Sequence, residues 1–378
     1  MSIRQKLAKK LANRKEQGLL RKLFLDHEGI DFLSNDYLGL ARSTALKKRI
    51  QEDYQQLPHA TNGARGSRLL SGNTAYAEAL EAYLAEVFLG ESALLFNSGY
   101  TANLAVISTV PQRGDTIILD ELAHACMKEG ARLSYAQKLA FRHNDLDDLK
   151  KKIEKGQGDI FVIIESVYSM DGDKAPLEEI LTLCKKYKAN LIVDEAHSTG
   201  IWGREGNGLV CSLGLEDEVF ARVYTFGKAM GVHGAVVVGD QVLRQYLINF
   251  ARPFIYTTAL PGHSLVSIQA AFQYLAQNLD LQVELKKNIE YFKTQIVPQF
   301  LRAGARVVES DSAIQALVIP EVETVKMIAD ALQRKGFNVR PILSPTVRPG
   351  SERLRICLHS YNTTEEIDSL AKEIFQLL

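Results

Sequence analysis

Asn190-Leu191-Ile192-Val193-Asp194-Glu195-Ala196-His197-Ser198-Thr199-Gly200 carries an apolar centre that breaks straight into two acids and a histidine. Further on, Arg222-Val223-Tyr224-Thr225 ends in Phe226-Gly227-Lys228-Ala229-Met230-Gly231. Both read as buried strands whose carboxyl ends carry the reactive side chains. Ala93-Leu94-Leu95-Phe96, Thr116-Ile117-Ile118-Leu119, Phe161-Val162-Ile163-Ile164 and Ala235-Val236-Val237-Val238 share the texture. These runs are nearly continuous in apolar residues rather than alternating, as strands covered on both faces should be. Helical stretches lie between them; in Thr74 to Phe88, Leu80, Leu84, Val87 and Phe88 recur on one face. The alternation predicts an α/β fold built on a large, mostly parallel sheet. Ligands of such a sheet gather at the carboxyl ends of its strands, where Glu165, Asp194 and Lys228 fall.

After about residue 272 the pattern changes. Leu279 to Phe300 reads as a long helical stretch, followed by an apolar run from Ala313 to Ile319, a helix to about Lys335, a Pro-rich bend and the strand Leu354-Arg355-Ile356-Cys357-Leu358. The expected division is an N-terminal helix and arm over 1–40, a large α/β domain over 41–272 and a small α+β domain over 273–378. Ile3, Leu7 and Leu11 recur among lysines and arginines, an amphipathic basic pattern that predicts an N-terminal helix lying on the body of the protein, with a transit peptide or membrane-surface helix as the other reading.

Composition excludes several classes. Lys+Arg and Asp+Glu are both 45, so no basic excess is available for a nucleic-acid backbone. No apolar run approaches the length of a bilayer span, and Met1 to Lys22 lacks the apolar centre of a secretory signal. Cys126, Cys184, Cys211 and Cys357 form no C-x-x-C pair, which fits reduced thiols in a cytoplasmic protein. The histidines show no ligand spacing, so no metal is expected.

Lys228 and Asp194 together suggest a chemistry. An amine can hold an aldehyde, and a buried acid can keep a pyridine nitrogen protonated, which is what pyridoxal 5'-phosphate needs from a protein. Asp194-Glu195-Ala196-His197 also matches the acidic box of a nucleic-acid-dependent ATPase, but such an enzyme needs G-x-x-x-x-G-K-[ST]. Here Gly227-Lys228 is followed by Ala229. Phe96-Asn97-Ser98-Gly99-Tyr100-Thr101-Ala102-Asn103 reads as strand, small-residue turn and helix start, which aims backbone amides at an anion. His124 opens a helix after a strand, Glu165 and Ser169 follow another strand, and Arg353 and Arg355 share one strand face.

Taken in order, these strings resemble the α-oxoamine synthases, a branch of the fold-type I pyridoxal phosphate enzymes. The resemblance runs almost end to end, from Ser34-Asn35-Asp36-Tyr37-Leu38-Gly39-Leu40 through Ser71-Gly72, His124, Tyr168 to Asp173, Asp194 to Gly200 and Thr225 to Lys228. It closes with Phe250 to Thr258 and Arg353-Leu354-Arg355. It implies a large sheet domain with a smaller C-terminal domain, and a homodimer with the site at its interface. Lys228 would form the Schiff base, Asp194 pair with the pyridinium, His197 contact the phenolic oxygen and His124 stack on the ring. Gly99, Tyr100 and Thr225 would bind phosphate, with Thr257 or Thr258 from the other subunit; Glu165 and Ser169 would complete the cofactor site. Asn35 and Arg355 would hold the substrate carboxylate, with Arg353 the other candidate, and Arg21 would lie near the acyl substrate. Phe250 to Leu260, Ser310 to Gln315 and Leu20-Arg21 resemble the branch that joins L-alanine to a pimeloyl thioester, on coenzyme A or an acyl carrier protein, in biotin synthesis. Relatives using glycine or serine share every cofactor residue, and a non-catalytic pyridoxal-binding regulator is the reading from another class.

Overall fold

The structure, a computed structural model, describes residues 1–23, 25 and 29–378. It divides into two compact units, a larger one of Asn35–Ser169 and Lys174–Glu284 and a smaller one of Met1–Ser34, Met170–Asp173 and Leu285–Leu378. The smaller unit therefore draws on both ends of the chain, whereas the sequence suggested a separate N-terminal arm and a division near residue 272.

The larger unit is built on a seven-stranded sheet of β1 (Ser92–Phe96), β2 (Thr116–Asp120), β3 (Gln137–Phe141), β4 (Ile160–Glu165), β5 (Asn190–Asp194), β6 (Ala221–Thr225) and β7 (Ala235–Gly239). Across the sheet the order is β1-β7-β6-β5-β4-β2-β3. Neighbours from β6 through β3 run parallel, and β7 lies antiparallel to both β1 and β6. The strands have the double-sided burial their composition predicts: every residue of β1 and β2 is buried, as are the last five of β4. One core cluster packs Ile117, Ile163, Ile192 and Val223 on one face; another packs Ile118, Val162, Ile164 and Val193 on the other. β3 escaped the sequence pattern for a physical reason. It is one of the two edge strands and, unlike β1 at the other edge, it leaves Gln137, Lys138 and Ala140 exposed, so its polar texture lacks the apolar run that marks its neighbours.

In the smaller unit β8 (Arg306–Val307), β9 (Ile314–Val318), β10 (Arg340–Ile342) and β11 (Arg353–Cys357) pair antiparallel in the order β10-β11-β9-β8. Helices Val322–Arg334 and Thr364–Leu377 bury their apolar stripes, Val325, Ile328 and Leu332 on one and Ile367, Leu370 and Ile374 on the other. The long helical stretch expected here runs as Asp280–Tyr291, a π-helical turn Phe292–Ile296 and Val297–Arg302. Pro298 explains the interruption, since it has no N–H to donate back and its ring crowds the preceding turn.

The N-terminal expectation needs correcting. Ile3–Glu16 is a helix, closed at its start by Ser2 and Gln5 in a reciprocal capping box, yet it buries no residue. Three apolar side chains among lysines and arginines cover too little surface to hold it down. No helix among the described residues is long and apolar enough to cross a membrane.

Candidate active site

The carboxyl ends of β4, β5 and β6 bring together what the sequence holds far apart. Glu165 and Asp194 are the last residues of their strands and stand side by side in register. Both are buried. Thr225 ends β6, and the chain then turns back, with Phe226 N–H bonded to Gly234 O and Gly231 N–H to Lys228 O. This turn holds Lys228 half-buried, its Nζ 2.9 Å from Nε2 of the buried His197.

Asp194 is oriented from two sides. Ala196 N–H donates to Oδ1 at 2.8 Å, and Asn103 Nδ2 donates to Oδ2 at 2.7 Å. With a donor on each oxygen, the carboxylate is held in one orientation. Asn103 lies on α1 (Gly99–Thr109) and also bonds Gly99 O. Ser98 caps that helix reciprocally with Thr101, so its leading amides and positive dipole end open beside Gly99 and Tyr100. A Cβ on Gly99 would overlap Thr225 Oγ1. That hydroxyl is buried without a hydrogen-bond partner and faces the start of this helix. Asn97, just ahead, donates to Thr257 Oγ1 at 3.3 Å and to Thr258 O at 2.9 Å, so both threonines sit by this turn in the same chain. The Tyr100 hydroxyl bonds Glu129.

His124 caps α2 (Ala125–Leu133), its Nδ1 accepting from Cys126 N–H at 3.2 Å with the Cys126 thiol at 2.9 Å. Its own N–H donates to Glu165 Oε1 at 2.8 Å. Burial lowers the His124 pKa, opposed by Asp194 and reinforced by Lys228. Glu165 is pushed up to about 8 by burial and by Asp194, against the pull of Lys228 and of amide bonds from His124 and Ser169. One of the two adjacent carboxyl groups thus holds its proton at neutral pH, and it is Glu165. Glu195 turns the other way, bonding Ser166, Ser198 and the amides of Leu209 and Val210.

The larger unit thus gathers Gly99, Tyr100, His124, Glu165, Ser169, Asp194, His197, Thr225, Lys228, Thr257 and Thr258, together with Asn35, whose Oδ1 accepts from Tyr37 OH at 3.0 Å. Arg21 and Arg355 belong to the smaller unit. There Arg21, exposed, reaches Thr346 Oγ1 at 3.4 Å, and Arg355, buried, bonds Cys357 Sγ at 2.8 Å. Arg353 is tied to Asp171 at 2.5 Å and to Met170 O. Sequence reasoning passed over Asn103, Tyr37 and Cys126. Asn103 had a faint signal, as a polar residue one helical turn beyond Gly99 in an apolar helix; the other two had none.

This geometry accords with what the chain resembles. Residues 27–374 match the family model described as aminotransferase class I and II. An 8-amino-7-oxononanoate synthase of Emericella nidulans is 41% identical over 392 residues, covering 98% of this chain and 95% of that one. One from Lysinibacillus sphaericus is 36% identical over 373 residues, covering 95% and 94%. Among solved structures, the serine palmitoyltransferase of Sphingomonas wittichii superposes with a TM-score of 0.90 at 27% identity, covering 100% of this chain and 98% of its own. The 8-amino-7-oxononanoate synthase of Francisella tularensis gives 0.79 at 29%, covering 93% and 98%. With a matching family model over most of its length and relatives of this identity, the chain belongs to the class I and II aminotransferase family and, within it, to the 8-amino-7-oxononanoate synthases.

Proposed function

We propose that the chain uses pyridoxal 5'-phosphate to condense L-alanine with a pimeloyl thioester, releasing carbon dioxide and a free thiol and forming 8-amino-7-oxononanoate for biotin synthesis. The observation that carries the proposal is the convergence of Lys228, His197 and Asp194 at adjoining strand ends in a chain 41% identical to such a synthase. The residues fit the cofactor on their own geometry. The unsatisfied Thr225 hydroxyl, the α1 amide end and the close approach at Gly99 suit a phosphate, and a doubly oriented buried carboxylate suits a ring cation. When bound, the cofactor supplies an aldehyde that takes up amines and a protonated ring that accepts electrons.

The side chains do the rest. Asp194, fixed by Asn103 and the Ala196 amide, holds positive charge at the ring nitrogen. Gly99, Tyr100 and Thr225 anchor the phosphate, with Thr257 and Thr258 beside that turn. His124, with Nδ1 engaged by Cys126, presents its imidazole face, and Glu165 and the Ser169 amide fix the backbone that carries it. His197 would contact the phenolic oxygen. Lys228 would hold the cofactor's aldehyde, and its Nζ is the group that would take a proton from the amino-acid α-carbon and return one. Asn35, Arg21 and Arg355 enter the proposal as substrate-binding residues on the strength of the sequence resemblance. It also includes coenzyme A or an acyl carrier protein as the thiol, and a homodimer, supported by the large exposed side chains Leu70 and Tyr256.

Thiol release from pimeloyl-coenzyme A tests the function, with L-alanine, glycine and L-serine compared and Lys228→Ala as control. Release with alanine alone supports it. Serine is the second reading, favoured by the TM-score of 0.90 to a serine palmitoyltransferase, and preference for serine or glycine would overturn the substrate. No release with any thioester would favour a non-catalytic pyridoxal-binding protein.

A further inference from the structure

His124 Nδ1 faces two groups of one residue, the Cys126 N–H at 3.2 Å and the Cys126 thiol at 2.9 Å. A backbone amide nitrogen donates and offers no lone pair, so Nδ1 must be the acceptor. A ring protonated at Nδ1 would set one N–H against another. Sulfur can donate or accept weakly, but an unprotonated Nδ1 leaves the donor's part to S–H. The thiol is able to play it: burial, with Asp194 and Glu165 nearby, holds it well above the usual thiol range. We infer that Cys126 is a positioning residue that holds His124 as the neutral Nε2–H imidazole, its amide and thiol sharing the one lone pair of Nδ1.

The charge on His124 is contested by its surroundings. Burial disfavours the charged ring most; Asp194 at the end of β5 draws a proton toward it, while Lys228 beyond β6 and Lys128 on α2 repel one. Glu165, at the end of β4, accepts the His124 backbone N–H and carries little charge at neutral pH. Hydrogen bonds made to the neutral form of a group disfavour its charged form. Protonating Nδ1 would forfeit both Cys126 contacts, so these donors add to burial and oppose Asp194. On the proposed function the ring lies against a cofactor whose nitrogen bears positive charge beside Asp194. An imidazolium there would lay cation against cation, and a neutral ring avoids that repulsion. This consequence rests on the cofactor assignment; the tautomer and its dependence on Cys126 do not.

Two measurements on the full chain test it. In ¹⁵N-histidine spectra before cofactor is added, His124 is picked out of the eight histidines by comparison with His124→Gln. It should carry a hydrogen on Nε2 and none on Nδ1 near neutral pH. On acidification, Cys126→Ala should take up the second proton about 0.5 to 1 pH unit above the parent, for the loss of one donor. Cys126→Ser, which keeps a donor and nearly the same shape, should titrate with the parent. Asp194, Glu165, Lys128 and Lys228 remain in both variants. Nδ1–H or a doubly protonated ring in the parent at neutral pH would overturn the inference. Coincident titrations of the parent and folded Cys126→Ala would overturn it as well. Pyridoxal phosphate binding is then followed against pH, where the acid limb of Cys126→Ala should lie higher by the same interval and Cys126→Ser should restore it. If the parent binds no cofactor at any pH, the cofactor assignment fails, and the His124 titration still decides this inference on its own.

Discussion

Glu165 shows how a single side chain takes its properties from neighbours the sequence does not reveal. In the sequence it is an acid after an apolar run; in the fold it is buried beside Asp194, with its pKa pushed from 4.5 up to about 8. The stability consequence has a definite sign. Between those values the folded protein holds a proton that the unfolded chain does not, so this residue's contribution to stability falls as pH rises from about 4.5 and levels off above about 8. Glu165→Gln keeps an acceptor for His124 N–H and removes the titration. Its Tm should therefore fall less steeply than the parent's between about pH 5 and 8. Parallel Tm curves for the two proteins would rule this out. Lys228 and Asp194 were legible because each follows a recognisable strand end. Asn103 and Tyr37 were not, because their partners Asp194 and His197 lie 91 and 160 positions away.

At the scale of elements, strands with two buried faces announced themselves and the exposed edge strand Gln137–Phe141 did not. The element that matters most to the site is the joint between β1 and α1, packed against the end of β6. Gly99 lies there because any side chain would run into the Thr225 hydroxyl. Gly99→Ala should push Thr225 aside and weaken pyridoxal phosphate binding on the order of tenfold, about 1.4 kcal/mol. Titration of the variant with the cofactor checks this, and an unchanged dissociation constant would mean that the phosphate binds elsewhere. The helical stretch after Leu279 was legible, but its passage into a π turn after Tyr291 was not, since a proline such as Pro298 does not by itself specify one.

For the whole molecule, a ligand that binds only the folded chain must stabilise it, by about 2.7 kcal/mol at a hundredfold excess over its dissociation constant. Stripping pyridoxal phosphate should lower the calorimetric Tm by several degrees and restoring it should reverse the change; the same Tm in both states would argue against binding at the site. The order of apolar runs and helices determined the α/β class, the mostly parallel sheet and the placement of Glu165, Asp194 and Lys228 at strand ends, because burial on two faces and strand polarity are local properties of the chain. Tertiary structure alone decided that the smaller unit includes Met1–Ser34 and Met170–Asp173, that Arg353 is tied to Asp171, and that Ile3–Glu16 buries nothing. It also decided that Asn103 orients Asp194 and that Tyr37 meets His197. Those outcomes depend on which distant segments pack together and which polar groups then find partners, and no local pattern of residues encodes that.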